Sequence, residues 1–129
     1  MRKLTNHKVN GLNEAITITV MDEPGPGGAN HIYVVRAGVK PRVRDGSSYY
    51  ADEQTIQFQN GPIGEVGVNG ISGEALMAIL EDRLKSFQAG PYACRENALA
   101  LTHLQEAMHW LHHRTRERMQ RGVEGTMAK

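Results

Sequence analysis

An apolar seam in the C-terminal third of the chain can lie on one face only if the segment forms a long helix. Its members are separated by alternating steps of three and four residues: Leu101, Leu104, Met108, Leu111 and Thr115. This coiled-coil spacing predicts a helix from about Ala93 to Arg121, ending at Gly122. At ~1.5 Å per residue, roughly 29 residues span about 43 Å, which is longer than a small sheet can cover. We therefore expect this helix to pair with the same helix of a second copy.

A shorter helix is predicted immediately before the long one. Ser72 suits an N-cap, and Gly90 with Pro91 supplies a stop. Between them, apolar residues recur at helical spacing: Leu76, Leu80, Leu84 and Phe87. Two helices joined by a short turn form a hairpin, which we place at residues 71–122. Residues 123–129 are predicted to be a frayed tail.

The N-terminal half has the two-residue period of β-strands. Alternating apolar side chains predict four strands, around residues 16–20, 32–35, 56–59 and 63–68. Turn-forming residues separate these strands: Pro24–Gly28, 45–48 and Asn60–Pro62. Antiparallel hairpins are the simplest way to connect strands through such turns.

Together these patterns predict an α+β fold. A small antiparallel β-sheet of about four strands, in a β-rich part at residues 1–70, is followed by a C-terminal antiparallel helical hairpin that mediates oligomerisation. A chain of 129 residues is too short for two ordinary domains with separate cores, so residues 1–129 are predicted to form a single domain.

Composition limits what such a chain binds and where it works. A net charge of +1 argues against a dedicated duplex-DNA binder, which normally has a strong basic excess. The single cysteine, Cys94, cannot form an internal disulfide and fits a reducing compartment. No segment approaches the ~20 apolar residues of a membrane span, so we expect a cytoplasmic protein. Only 5% of the residues are aromatic, which limits burial per residue and again favours self-association.

Catalytic motifs are missing from the sequence. It has no Gly-Lys-Ser/Thr phosphate loop, no Gly-x-Ser-x-Gly elbow and no Cys-x-x-Cys pair. The glycine run 25–28 joins two predicted strands and is interpreted as a hairpin loop rather than an anion-binding nest. Asp22 and Glu23 enter that turn and are interpreted as turn formers. We predict a protein that is not an enzyme and has no catalytic residues or cofactor.

Histidines on the long helix raise the question of a metal site. His109 and His113 are four residues apart, and Glu106 precedes His109 by three. Carboxylate-bridged metal bundles also need inward acidic ligands from other helices, which the shorter helix lacks on its apolar stripe. No metal is predicted, and Cys94 is interpreted as a helix-start residue rather than a nucleophile.

The end of the long helix carries a cluster of arginines. Its members are Arg114, Arg116, Arg118 and Arg121. One interpretation is favourable interaction of cations with a helix C-terminus, and the other is a phosphate clamp, for which the guanidinium fork is suited. Trp110 lies one turn before Arg114, so the two side chains can stack.

Helix geometry favours a ligand pocket shared between two copies. Phe87 and Asn97 both lie near the hairpin turn, whereas Arg114 is 17 residues beyond Asn97, or about 25 Å along the helix. No nucleotide-sized ligand spans that distance. If two copies pair their long helices antiparallel, Arg114 of one lies beside Asn97 and Phe87 of the other. A stacking ring, an amide and a guanidinium then meet in two equivalent pockets per dimer.

Several segments resemble one known family. They are Arg95–Ala107, Trp110–Leu111, Arg121–Thr126, Asp22–Gly25 and Ile56–Pro62. The hairpin segments are similar to the helical-hairpin family of phage anti-defence proteins, which joins the first-described Thoeris anti-defence proteins with the second-described anti-CBASS proteins. The N-terminal half resembles the Thoeris branch, because the anti-CBASS branch is essentially the hairpin without this sheet.

The resemblance implies a phage sponge acting in the host cell cytoplasm. Members bind the immune signal glycocyclic ADP-ribose without cleaving it, so the Thoeris effector is not activated. Some also hold cyclic di- or trinucleotides in separate pockets of a hexamer built from three dimers. The implied partners are therefore these cyclic nucleotides and further copies of the chain, with no membrane and no duplex nucleic acid.

The resemblance also implies which residues bind ligand. The signal pocket would use Phe87, Asn97, Arg114 and an arginine of the sheet. Arg36 is the best match for the last, with Arg42 or Arg44 as alternatives. Thr102 is implied for the trinucleotide pocket, and Arg95, at the head of the motif, completes the set: Phe87, Asn97, Arg114, Arg36, Thr102 and Arg95.

Two other functions stay open from the sequence. The first is an enzyme that degrades the same class of signal, for which the candidate acid and base groups are Glu23, His31 and His103. The second is a small phage accessory protein that binds nucleic acid through residues 114–121.

Overall fold

The computed structural model describes residues 1–41 and 49–129. Over these residues the chain forms two compact units, Met1–Gly61 and Pro62–Lys129. The first unit contains the sheet and the second contains the long helices. The predicted α+β class, an antiparallel sheet followed by C-terminal helices, is confirmed. The single-domain assignment stays a prediction, and the predicted turn at 45–48 lies outside the described residues.

The first unit is a four-stranded antiparallel meander. Its strands are β1 (Arg2–Leu4), β2 (Ile16–Val20), β3 (Ile32–Pro41) and β4 (Tyr49–Gln57), in the order β1-β2-β3-β4. A short helix, α1 (Gly11–Glu14), links the first two strands, and Asn10 caps it by accepting the Asn13 N–H. A 3₁₀ turn at Pro26–Gly28 lies between β2 and β3.

The most buried apolar side chain described in this unit lies at the end of β2. Val20 is 1% exposed and is paired with Tyr33 across the β2–β3 ladder. The Tyr33 ring meets Phe58 edge to face, with ring centroids 5.6 Å apart. The register of β3 against β4 shifts between Arg36 and Val39, which marks a bulge.

One predicted strand is wrong. Residues Ile63–Val66 form a helical turn, α2, and the fourth strand is instead the N-terminal β1. Ile63 and Val66 are three residues apart, a spacing that fits a helix turn as well as an irregular strand. Gly67 has φ +73°, a conformation that ends the turn and that side-chain-bearing residues rarely adopt. A three-residue strand such as β1 is too short for a two-residue period to reveal it.

The second unit is built on a helical hairpin. Helix α3 (Gly73–Gln88) begins after Ser72, whose Oγ accepts the Ala75 N–H at 3.1 Å, as predicted. Helix α4 (Arg95–Gln120) has 26 residues, three fewer than predicted, and begins after the cap residue Cys94. Within the described residues, no helix is both long and apolar enough to cross a membrane.

The predicted seam of α4 is its more buried face. All five seam residues are half-buried, whereas most of their neighbours on α4 are exposed. On α3 the half-buried apolar residues are Leu76, Met77 and Leu84, while Leu80 is 51% exposed and Phe87 is 40% exposed. The prediction that all of Leu76, Leu80, Leu84 and Phe87 form one covered stripe is therefore only partly confirmed. Leu80 and Phe87 lie at the margin of the stripe and stay accessible.

Glu81 forms hydrogen bonds with side chains of both helices. Its carboxylate lies 2.9 Å from Nζ of Lys85, one turn along α3, and it also accepts a hydrogen bond from Gln105 on α4. The Lys85 hydrogen bond, supported by that from Gln105, lowers the pKa of Glu81, and Glu81 in turn raises the pKa of Lys85. Both groups stay charged near neutral pH, and Glu81 contacts α4 through Gln105.

The C-terminal tail is held by a buried arginine. Arg118 is 6% exposed, and its Nε donates to Oε2 of Glu124 at 3.0 Å. Its Nη2 donates to the carbonyls of Val123 at 2.9 Å and Thr126 at 3.1 Å, and its Nη1 donates to the carbonyl of Ala128. These bonds satisfy the guanidinium that burial removes from water. The prediction of a frayed tail is therefore wrong.

Candidate functional site

Phe87, near the end of the shorter helix, has an accessible ring. It lies in the last turn of α3 and is 40% exposed. The guanidinium carbon of Arg83, one turn earlier, lies 5.5 Å from the centroid of the ring, a cation–π contact. This contact restricts the ring while leaving a large part of it open to a flat ligand.

Asn97 lies in the first turn of the longer helix, across the interhelical turn from Phe87. It is half-buried in the first turn of α4, and its backbone N–H donates to Sγ of Cys94 at 3.4 Å. Cys94 is the N-cap, which confirms its interpretation as a helix-start residue. Arg95, the first residue of α4, and Thr102, two turns along, are both exposed.

The arginine cluster divides into two pairs. Arg118 and Arg121 hold the tail, since Arg121 Nη1 donates to the carbonyl of Lys129 at 2.6 Å. For these two, the interpretation as structural cations at a helix C-terminus is the better one. Arg114 and Arg116 are exposed, and within the described residues neither makes a salt bridge or side-chain hydrogen bond. Arg114 and Arg116 are therefore the members of the cluster that can bind an anion.

Trp110 stands beside Arg114 but contacts histidines. Its ring is 66% exposed and meets the rings of His109 and His113 edge on, with centroids 5.3 Å and 5.8 Å away. The four-residue spacing allows Trp110 to stack on Arg114, but within the described residues the two side chains do not stack. The guanidinium of Arg114 is thus left accessible.

The predicted pocket residues of the hairpin do not converge within one chain. Phe87 and Asn97 flank the same six-residue turn, 89–94. Arg114 lies 17 residues farther along an uninterrupted helix, which corresponds to about 25 Å. One hairpin therefore presents a ring and an amide at one place and a guanidinium at another.

Arg36 is positioned by the sheet. It lies on β3 opposite Glu53 of β4, and its Nε is 3.1 Å from Oε2 of that carboxylate. Both side chains are about half exposed, so water and salt screen the pair and it stabilises the sheet little. Such a guanidinium can exchange its partner for a phosphate. The alternatives Arg42 and Arg44 lie outside the described residues.

The glycine-rich loop after β2 is closed by Asp22. Its carboxylate accepts the backbone N–H of His31 at 2.9 Å and of Ile32 at 3.1 Å. Asn30 reinforces the loop by donating from Nδ2 to the carbonyl of Asp22 at 2.6 Å. Burial pushes the pKa of Asp22 up, but these backbone hydrogen bonds outweigh it, so the pKa lies below its ordinary value. The interpretation of Asp22 as a turn former agrees with these bonds.

His31 is packed inside this loop and is poorly placed for catalysis. It is 7% exposed, and its Nδ1 lies 3.9 Å from Oδ2 of Asp22, a carboxylate already engaged by backbone N–H groups. A Cβ on Gly25 would come within 2.9 Å of Cε1 of His31, so only glycine allows this approach. Of the other groups named for an enzyme, His103 is exposed and pairs with Glu106 at 3.4 Å, and Glu23 is exposed.

Acid is expected to loosen the Asp22 loop. A carboxyl whose pKa falls on folding adds stability above its unfolded pKa, near 3.9, and that stability is lost as pH falls through the folded value. Thermal unfolding followed from about pH 7 to pH 2 should show a loss that begins near pH 4. Asp22→Asn should be less stable at neutral pH and lose less on acidification, whereas Glu23→Gln should follow the parent. Identical pH profiles for parent and Asp22→Asn would contradict this role.

The histidines of α4 show no multidentate metal centre. Within residues 1–41 and 49–129, no three or more side chains of His, Cys, Asp and Glu are grouped to hold an ion. The rings of His109 and His113 lie 6.5 Å apart and nearly parallel, and both stand at the side of Trp110.

Comparison with known proteins places the hairpin in a family. Residues 51–116, just over half of the chain, match the family model of the Acb2/Tad1 hairpin domain. The chain is also 53% identical over 75 residues to a protein of Bacillus phage SBSphiJ7 named Thoeris anti-defense 1. The aligned stretch covers 58% of this chain and 53% of the relative, so the chain spans about half of the relative's length.

The matched range includes all of the predicted ligand residues of the hairpin, and Arg36 lies outside it. The order of elements agrees with that range, since α3, the turn and most of α4 fall within it. The chain therefore belongs to the Acb2/Tad1 hairpin-domain family.

Proposed function

We propose that this protein is a phage anti-Thoeris sponge that binds glycocyclic ADP-ribose and holds it without cleaving it. The observation that carries the proposal is the family match over residues 51–116, together with the 53% identity to a relative named Thoeris anti-defense 1. A sponge needs affinity and copy number but no catalytic groups. Acting on a host signal, it works in the host cell cytoplasm.

The proposed pocket is composed of two copies of the chain. Phe87 stacks on a base, Asn97 reads polar atoms of the base or ribose, and Arg114 of the other copy clamps a phosphate. Support comes from the accessible ring of Phe87 and from the guanidinium of Arg114, which has no ion-pair partner among the described residues. The length of helix between Asn97 and Arg114 supports a pocket that crosses between copies. Arg36, an exposed guanidinium of the sheet, is a further cation that we propose to bind phosphate.

Self-association is supported by apolar side chains that the hairpin leaves uncovered. These include Ile79 at 59%, Leu80 at 51%, Leu99 at 43% and Trp110 at 66% exposure. An antiparallel pairing of α4 with α4 in a dimer covers those on α4, and the association of three dimers in a hexamer covers those on α3. Thr102, exposed on α4, then serves a separate pocket for cyclic trinucleotides, and Arg95 is a further exposed residue of α4 that we propose to contact ligand.

Calorimetry combined with light scattering tests this proposal. Glycocyclic ADP-ribose is expected to bind with one site per chain to a species whose mass is a dimer or a multiple of dimers. A panel of cyclic trinucleotides, titrated separately and then into the saturated complex, shows whether the two ligand classes use different sites. A monomer that binds none of these ligands would overturn the proposal. Salt-dependent binding of duplex DNA by that monomer would favour the nucleic-acid alternative.

A further inference from the structure

One side-chain hydrogen bond crosses the turn between α3 and α4, and a second caps the start of α4. Oε1 of Gln88, the last residue of α3, accepts the backbone N–H of Cys94 at 3.0 Å. Sγ of Cys94 then accepts the backbone N–H of Asn97 at 3.4 Å. Gln88 is half-buried although it stands at a helix end, and Cys94 has the extended conformation of an N-cap, with φ −152° and ψ 163°.

These two bonds connect the residues on either side of the turn. Gln88 directly follows Phe87 in the chain, and Cys94 sets the first turn of α4, where Asn97 lies. The backbone N–H groups in the first turn of a helix lack partners inside the helix, so a side-chain cap decides where that turn begins. The turn backbone adds further bonds, from Gly90 N–H to the Phe87 carbonyl at 3.2 Å and from Ala93 N–H to the Gly90 carbonyl at 3.3 Å.

We propose that Gln88 and Cys94 are positioning residues of the ligand pocket. Through their hydrogen bonds they fix the distance and orientation between the ring of Phe87 and the amide of Asn97 before ligand arrives. A pocket ordered in advance avoids the entropy cost of ordering its side chains on binding. This inference rests on the proposed function, since it concerns the same site.

The test removes each acceptor and compares the result with a conservative variant. Gln88→Leu keeps the bulk of the side chain and loses the acceptor, and it is expected to weaken binding of glycocyclic ADP-ribose about tenfold. Gln88→Glu retains an acceptor and should bind within about threefold of the parent. Cys94→Ala should also weaken binding, whereas Cys94→Ser should bind as the parent does because serine is a preferred N-cap. Gln120→Leu, the same substitution at the exposed end of α4, is the matched control and should leave binding unchanged.

A spectroscopic measurement separates positioning from general stability. In protein labelled with ¹⁵N-asparagine, the side-chain amide resonance of Asn97 should shift in Gln88→Leu and in Cys94→Ala. In Cys94→Ser it should lie near its position in the parent. Helix content, measured by circular dichroism, should be the same in all variants. If the parent binds and both acceptor-free variants bind equally well, the positioning role is overturned and the proposed function stands. If the parent itself does not bind, the proposed function fails. Binding that is as weak in Gln88→Glu and Cys94→Ser as in the acceptor-free variants also overturns the positioning role.

Discussion

Replacing Arg114 with alanine is expected to weaken binding of glycocyclic ADP-ribose by about a hundredfold or more. Arg114 is exposed and makes no ion pair within the described residues, so its removal leaves the fold unchanged. The lost interaction is a charge-assisted, bidentate hydrogen bond to phosphate, which is stronger than a neutral one. Calorimetry measures the change, with the thermal midpoint as a check on folding.

Arg116 provides the matched control for this substitution. It is a second exposed arginine of α4, two residues farther along, so it points to a different side of the helix. Arg116→Ala should bind ligand with nearly the affinity of the parent. Equal losses in both variants would indicate diffuse electrostatic attraction and would contradict a specific clamp at Arg114.

A mixture of two weakly binding variants tests whether the pocket crosses between copies. Arg114→Ala and Asn97→Ala proteins, each expected to lose the high-affinity sites, are co-expressed so that mixed dimers form. Each mixed dimer then contains one pocket with both native residues and one with neither. With random pairing, about a quarter of the sites of the parent should return. Recovery of no sites would show that Asn97 and Arg114 do not share a pocket across the dimer.

The second large effect is on stability. Arg118→Leu is expected to lower the free energy of unfolding by about 3 kcal/mol, because the tail loses its partner for four hydrogen bonds. Arg121→Leu removes only one bond, to the carbonyl of Lys129, at an exposed position and should cost about 0.5 kcal/mol or less. Thermal unfolding at fixed protein concentration measures both.

Proteolysis shows whether that loss comes from the tail. Residues 123–129 of Arg118→Leu should be removed by a protease much faster than those of the parent or of Arg121→Leu. Parent-like stability and parent-like protection of the tail in Arg118→Leu would contradict the role of the buried guanidinium.

Most of the fold could be predicted because the hydrophobic period changes near Asn69. The two-residue period identified β2 and the first part of β3, and the seam from Leu101 to Thr115 identified α4. The strand predicted at 56–59 overlaps β4 only at its last two residues, because β4 begins at Tyr49. The error at Ile63–Val66 arose because Val66 and Val68 have the two-residue spacing of a strand, whereas Ile63 and Val66 have the three-residue spacing of a helix turn. The strand Arg2–Leu4 pairs with β2 through its backbone, which no side-chain pattern of three residues reports.

In the candidate site, the features that depend on local sequence could be predicted, and those that depend on the path of the chain could not. That Phe87 and Asn97 flank one turn follows from the predicted ends of two helices, so their proximity could be expected. The hydrogen bond from Cys94 N–H to Gln88 depends on the path of the turn, and the bonds of Arg118 depend on the tail folding back. Arg118 carries the same sequence signal as Arg114, and only its burial separates the two roles.

Recovery of the bound ligand tests sequestration most directly. The protein is incubated with a slight deficit of glycocyclic ADP-ribose, free ligand is removed, and the complex is denatured by heat before chromatography and mass spectrometry. Sequestration predicts that the supernatant returns the ligand intact and in full, and that it activates a Thoeris effector as strongly as untreated ligand. A product of altered mass or linkage, formed in an amount that grows with time, would contradict sequestration and identify the protein as an enzyme.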